Sequence, residues 1–239
     1  MVAYFISDLH LTAERDAANQ QFFDFLRTQP QPGDALYVLG DLFEYWAGDD
    51  DLFDALNARV VAALATCASS GVAEYFLHGN RDFLIGAQFA AAARLTLLTD
   101  GATFDLHGTR TMLLHGDTLC TGDRAYQQFR AKVRTLEWRD LFLAQPLSER
   151  KAEIEKLRAM SETAKAAKAL DIMDVAETAV QQLFHDSHAT RMIHGHTHRP
   201  ARHDYLMFGR NCVRWVLPAW DQRAGYLRVD ATGDQLIYL

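Results

Sequence analysis

Seven side chains with metal-binding chemistry fall in five short blocks along this 239-residue chain: Asp8 and His10 in S-D-L-H, Asp41 in G-D-L-F-E, Asn80 in G-N-R-D, His115 in L-L-H-G-D, and His196 and His198 in G-H-T-H. Taken singly, each reads more readily as a helix cap, a turn residue or a surface histidine. Together they make an oxygen and nitrogen set without a thiolate. Such a set suits manganese, iron, zinc or cobalt better than calcium, and holds too many imidazoles for magnesium. Asp8 and His10 stand two apart, so both can project to one side of an extended chain. The carboxylate of Asp41 can be shared by two cations ~3.5–4 Å apart, the spacing that clamps the attacking and leaving oxygens of an in-line displacement. The pattern predicts a two-metal hydrolase. Glu44 and Asp82 are expected to orient ligands rather than to bind metal. His78, His107, His185, His188, His194 and His203 lack the ordered context and are expected to be structural or surface residues.

Each block follows an apolar run that reads as a buried strand: Val2 to Ile6, Ala35 to Leu39, Ala73 to Leu77, Thr111 to Leu114, and Arg191 to Ile193. Just past strand ends is where α/β sheets place their chemistry. Helices expected around Asp16 to Thr28, Asp50 to Thr66 and Phe83 to Ala92 alternate with the first strands in a βαβ pattern, returned to the sheet by turns at Gln29 to Asp34 and Ser69 to Gly71. Short strands between Leu95 and Leu114 suggest a second sheet packed on the first. Residues 123–188 break the alternation with helical stretches over Arg124 to Leu143, Ser148 to Leu170 and Asp171 to His185. Ser148 and Asp171 are candidate N-caps, and Pro146 separates the first two stretches. Strands resume at Tyr205 to Phe208, Cys212 to Leu217 and Gly225 to Val229, with a hairpin turn at Thr232-Gly233-Asp234. The expected organisation is a core of residues 1–122 and 189–239 with an inserted helical cap at residues 123–188.

A net charge of −7 argues against a nucleic-acid binder, which would carry a basic stripe to neutralise phosphates. Basic residues nevertheless concentrate in the cap, at Arg130, Lys132, Arg134, Arg139, Arg150, Lys151, Lys156, Arg158, Lys165 and Lys168, and a solvated helix face is the plain reading of most of them. Cys67, Cys120 and Cys212 are odd in number and lack C-x-x-C spacing, so reduced thiols are expected. No stretch approaches the ~20 apolar residues of a membrane span, and the chain opens directly on a strand, so a cytoplasmic location is expected.

The motifs D-x-H, G-D-x-x-E, G-N-R-D, H-G-D and G-H-x-H resemble those of the calcineurin-like metallophosphoesterases over essentially the whole chain. The resemblance implies an α/β fold, a four-layer αββα sandwich with the site at the sheets' C-terminal edge. It further implies that Asp8, His10, Asp41 and His198 hold one ion and Asp41, Asn80, His115 and His196 the other. Many members carry G-N-H, whose histidine is assigned to protonating the departing alcohol; here Arg81 stands in that place. With a pKa above ~12, arginine cannot act as a general acid. A leaving group that needs no proton is therefore expected. A phosphate monoester, with a second pKa of ~6, is one, so a phosphoanhydride is the more natural substrate and Arg81 would grip a diphosphate oxygen.

Longer matches, at Gly79 to Gly86, His115 to Arg130 and Gly195 to Pro200, narrow the resemblance to a bacterial branch of lipid A biosynthesis that acts on the nucleotide-lipid UDP-2,3-diacylglucosamine. That branch implies two Mn2+ ions and metal-hydroxide attack at the α-phosphorus, giving UMP and 2,3-diacylglucosamine 1-phosphate. It implies Asp41, Asn80, Arg81 and His196 as catalytic residues, and Asn80, Arg81, Asp123, Ser161, Lys165, Lys168 and His196 as substrate contacts. It also implies peripheral association with the cytoplasmic face of the inner membrane. Independently of it, Ser161, Lys165 and Lys168 share a helix face at i, i+4 and i+7. Tyr126, Phe129, Val133, Leu136, Trp138, Leu141, Phe142 and Leu143 offer more apolar surface than one helix normally buries. Two alternatives stand beside this reading: a generic dinuclear phosphodiesterase or phosphatase, and a metal-bound scaffold without catalysis.

Overall fold

The computed structural model describes residues 1–166, 174–207, 209–221 and 223–239, with the backbone alone for residues 160–166. Two sheets form the centre. The first has the order β11(Gly233–Tyr238), β10(Gly225–Asp230), β1(Ala3–Ile6), β2(Ala35–Val38), β3(Ala73–Leu77), β4(Thr96–Leu98). Strands β1 to β4 are parallel, and β10 runs antiparallel beside β1. The second has the order β5(Ala102–Leu106), β6(Thr109–Leu113), β7(Arg191–His194), β9(Arg210–Val216), β8(Ala201–Met207), with β6, β7 and β9 parallel.

Strand periodicity sorts the core into layers. Ala3 and Phe5 of β1 point with Ala35 and Tyr37 of β2 toward Leu113, Ile193 and Trp215 of the second sheet. Tyr4 and Ile6 point the other way, with Leu36, Val38 and Phe76, against Phe22 and Phe25 of α1(Asp16–Thr28), Val60 and Leu64 of α2(Ala55–Ser69) and Phe89 of α3(Ala87–Ala93). Because both faces of the central strands are covered, they read as continuous apolar runs rather than as alternating ones. On the far side, Met112, Met192 and Cys212 meet Val180 and Phe184 of α7(Glu177–Ser187). The result is the four-layer αββα sandwich. The helix α7, grouped with the insertion in the sequence reading, thus packs on the second sheet and supplies its outer layer.

The helices differ from the sequence reading mainly at their ends. The stretch expected from Arg124 to Leu143 is two helices, α4(Arg124–Val133) and α5(Leu136–Leu143), because Thr135 turns extended and caps α5 through Trp138 N. Helix α2 starts at Ala55 under an Asp54 cap, behind a short 3-10 turn at Asp49–Asp51. Helix α3 starts four residues later than expected, its first amides captured from a distance by Asp49, which accepts from Gly86, Gln88 and Phe89 N. Helix α6(Leu147–Ala166) begins after Pro146, so Ser148 lies in its first turn. The expected cap at Asp171 falls outside the described residues.

The basic residues of the insertion are largely a latch. Arg150 is buried and donates to Ala47 O at 2.6 Å and to Asp50, Lys151 Nζ lies 2.7 Å from Asp51, and Arg158 pairs with Glu44. Gly48, at φ 135°, leaves room for the Arg150 guanidinium that any side chain would displace. Lys132 and Lys156 are exposed, as a solvated face requires. The cap's apolar residues split: Val133 and Phe142 are buried and Trp138 stacks on Phe142, whereas Phe129, Leu136 and Leu141 are 42%, 74% and 66% exposed.

Candidate metal centre

The seven candidate ligands come from the ends of β1, β2, β3, β6 and β7, and five of them stand in the left-handed backbone region: Asp8 at φ 54°, His10 at 50°, Asp41 at 53°, His196 at 68° and His198 at 54°. Such a conformation costs ~1–2 kcal/mol per non-glycine residue and persists only where the surroundings impose it. Here the first two loops are laced together: Leu9 N and His10 N donate to Asp41 O at 2.9 and 3.0 Å, and Leu11 N to Leu42 O at 2.9 Å. Asp82 holds the second loop to the third, accepting from Leu42 N at 2.7 Å, Gly79 N at 2.9 Å and Asp41 N at 3.3 Å. Glycine is required at Gly79 and Gly195 because a methyl group there would overlap the carboxylates of Asp41 and Asp8.

Each carboxylate divides its oxygens between the protein and the centre. Asp8 Oδ2 accepts from Ser7 Oγ at 2.6 Å and His196 N at 2.8 Å, while buried Oδ1 has no hydrogen-bond partner. Asp41 Oδ1 accepts from Arg81 N at 2.8 Å, while Oδ2 lies 3.7 Å from His115 Nε2 and 4.0 Å from His10 Nε2. The histidines are oriented to match. His115 Nδ1 is 2.8 Å from the Leu39 carbonyl and must donate to it, which makes Nε2, 3.0 Å from Asn80 Oδ1, the nitrogen that offers a lone pair when the ring is neutral. His10 Nδ1 lies 3.4 Å from Glu44 and His198 Nδ1 3.7 Å from Asp221, and their Nε2 atoms face each other at 3.3 Å. Acceptors converging on acceptors are repulsive unless a proton or a metal cation lies among them. Two groups of ligand atoms, Asp8, His10 and His198, and Asp8, Asp41 and His115, each lie within 4.8 Å of one another. This donor set fits divalent metal.

The charges give the same answer. Burial, reinforced by Asp82 and Asp8, pushes the Asp41 carboxyl up to about 7. Burial works to raise Asp8 too, but the neighbouring imidazoles, that of His198 first, hold it well below the usual carboxylate range. Burial works against a proton on His115 and His198, yet Asp41 and Asp8 raise His115 to about 9, and Asp221 and Asp8 raise His198 to about 10. His10 and His196 are pushed down by burial to about 3 and about 4. Without metal, the cluster balances its carboxylates with protons held where a cation would sit.

Five of the seven expected residues fall in these two groups; Asn80 joins them through His115, and His196 lies edge-on to His115 at a centroid distance of 5.0 Å. Arg81 Nη1 lies 3.2 Å from Glu44, which Arg158 also contacts. Asp123 caps α4, accepting from Tyr126 N at 3.1 Å. The side chains of Ser161 and Lys165, and Lys168 altogether, lie outside the described residues. Sequence reasoning passed over Ser7, Asp117 and Asp221, and read Tyr126 as apolar cap surface and Arg134 as part of a basic, solvated face. The spacing of Tyr126, Arg130 and Arg134 carried a signal; nothing in the sequence ties Asp221 to His198. The remaining histidines behave structurally where they are buried or in turns: His78 bonds to Ile85 O, His194 to Arg214, and His107 and His188 occupy left-handed turn positions.

Fold and site together define a metal-dependent phosphoesterase, and the chain belongs to the calcineurin-like phosphoesterase family, which residues 1–200 match. A protein of Aromatoleum aromaticum named UDP-2,3-diacylglucosamine hydrolase is 51% identical over 233 residues, covering 98% of this chain and 95% of its own. One of the same name from Escherichia coli is 44% identical over 238 residues, covering 100% of this chain and 99% of its own. A solved archaeal phosphodiesterase, 9% identical, aligns over 100% of both chains with a TM-score of 0.50 and is alike in fold. No helix among the described residues is long and apolar enough to cross a membrane.

Proposed function

We propose that this chain hydrolyses the diphosphate of UDP-2,3-diacylglucosamine at the α-phosphorus, giving UMP and 2,3-diacylglucosamine 1-phosphate, with two Mn2+ ions as cofactor. The observation that carries the reading is the full-length likeness to hydrolases of that name on a site whose lone pairs converge. Asp8, His10, Asp41 and His198 would hold one ion, and Asp41, Asn80, His115 and His196 the other. When bound, such ions polarise phosphoryl oxygens and lower the pKa of water. The protein's own groups do the rest. Glu44 fixes Arg81 beside the centre, where its guanidinium can take a diphosphate oxygen and has no proton to give. That matches a departing phosphate, which needs none.

Asp123, Ser161, Lys165 and Lys168 would contact the sugar and phosphates. The exposed apolar residues of α4 and α5, Phe129, Leu136 and Leu141, support a lipid reading, either lining the acyl chains or meeting the inner-membrane surface. The test is kcat/KM of the Mn2+-loaded protein on the diacylated substrate and on a UDP-sugar without acyl chains. A large preference for the first is expected; equal efficiency would remove the lipid half of the proposal.

A further inference from the structure

Tyr126, Arg130 and Arg134 recur at i, i+4 and i+8 on α4 and so form one row along it. The opposite side, with Arg124, Ala125, Gln128, Ala131 and Lys132, is exposed, and the row turns toward the ligand loops. The Tyr126 ring lies along that of His196, centroids 6.2 Å apart at 28°. Its hydroxyl donates to Asp117 Oδ2 at 2.5 Å, and Arg130 Nε donates to the same oxygen at 2.7 Å. Asp117 is fully buried two residues after His115, and Gln127 secures that stretch by donating to Asp117 O at 2.8 Å. At the far end of the row, Arg134 Nη2 donates at 2.7 Å to the carbonyl of Gly79, the residue before Asn80, and its guanidinium packs over Phe83.

One helix therefore touches the three loops that follow β3, β6 and β7, those of Asn80, His115 and His196. Among the described residues no hydrogen bond, ion pair or ring contact joins this row to Asp8, His10 or His198, the ligand group that His10 and His198 close at the other end of the centre. We infer that α4 is a strut of the metal centre, in which Tyr126 and Arg134 position Asn80, His115 and His196 and so set the affinity of one of the two ions selectively. These are positioning residues: Arg134 acts through a backbone carbonyl and Tyr126 through a ring stack. Groups that orient metal ligands in this way are typically worth ~10–100-fold in metal affinity. The inference rests on the metal reading of the site but not on the identity of the substrate.

The test titrates metal-stripped protein with Mn2+ alone, reading free Mn2+ by electron paramagnetic resonance, beside the Tm of each metal-free protein. Wild type is expected to bind two ions. Arg134→Met and Tyr126→Leu should weaken one of them ~10-fold or more while leaving the other unchanged. Tyr126→Phe, which keeps the ring, should stay closer to wild type than Tyr126→Leu. Val133→Ala, buried on the same helix outside the row, should lower Tm without moving either affinity. Unchanged Mn2+ binding in Arg134→Met, or an equal loss in Val133→Ala, would overturn the strut. Wild-type protein that bound no Mn2+ would overturn the metal reading and the strut with it.

Discussion

Glu74 offers the sharpest check on the physics of the fold. It sits on β3, 4% exposed, on the face that carries Phe76, and neither carboxylate oxygen has a hydrogen-bond partner among the described residues. The Cys67 thiol, its polar neighbour on α2, is too weak a donor to offset burial, and burial pushes the carboxyl up from 4.5 to about 8. The folded state therefore prefers the neutral acid, while the unfolded chain ionises near 4.5. Stability that is fully present below pH 4.5 is lost as pH rises toward 8. Each pH unit in that window costs ~1.4 kcal/mol, so between pH 5 and 7.5 the loss approaches ~3 kcal/mol. Glu74→Gln removes the titration at nearly constant shape. Its Tm should match wild type near pH 5 and exceed it at pH 7.5 by ~6–12 °C, at ~2–4 °C per kcal/mol for a chain of this size. Thermal melts of both proteins from pH 5 to 8 give the result. A Tm difference that did not change with pH would refute a neutral, buried Glu74.

Metal binding should release protons. His115 and His198, at about 9 and about 10, are charged at pH 7.5 and must be neutral to ligate, so calorimetric Mn2+ titrations in buffers of different ionisation enthalpy should show net proton release and an affinity that rises with pH; buffer-independent heats would contradict this. Arg81→Ala should lower kcat/KM by ~10²-fold or more with Mn2+ content preserved, and a parallel loss of metal would make Arg81 a support for the ligand loops instead. Leu136→Glu together with Leu141→Glu should reduce efficiency on the diacylated substrate and narrow its advantage over a non-acylated UDP-sugar; an unchanged ratio in mild detergent would exclude this face from lipid recognition.

The layered fold and the seven candidate ligands were legible because they are short-range signals. Apolar runs buried on both faces mark strands, and D-x-H, G-N-R-D and G-H-T-H each begin two residues after one ends. What could not be read depends on distant partners. Thr135 splits a stretch whose composition is helical throughout, Asp49 caps a helix nearly forty residues away, and α7 belongs to the outer layer because Val180 and Phe184 find Met112 and Met192. The insertion's arginines read as solvated because their partners, Asp50, Glu44 and the Gly79 carbonyl, lie far off in sequence. Asp221 reaches His198 across a turn that no local pattern marks.

The most direct measurement of the proposed activity is hydrolysis of UDP-2,3-diacylglucosamine by the Mn2+-loaded protein in oxygen-18 water, with mass analysis of both products. UMP carrying the label and unlabelled 2,3-diacylglucosamine 1-phosphate are expected. Label in the sugar phosphate, or release of UDP, would contradict cleavage at the α-phosphorus.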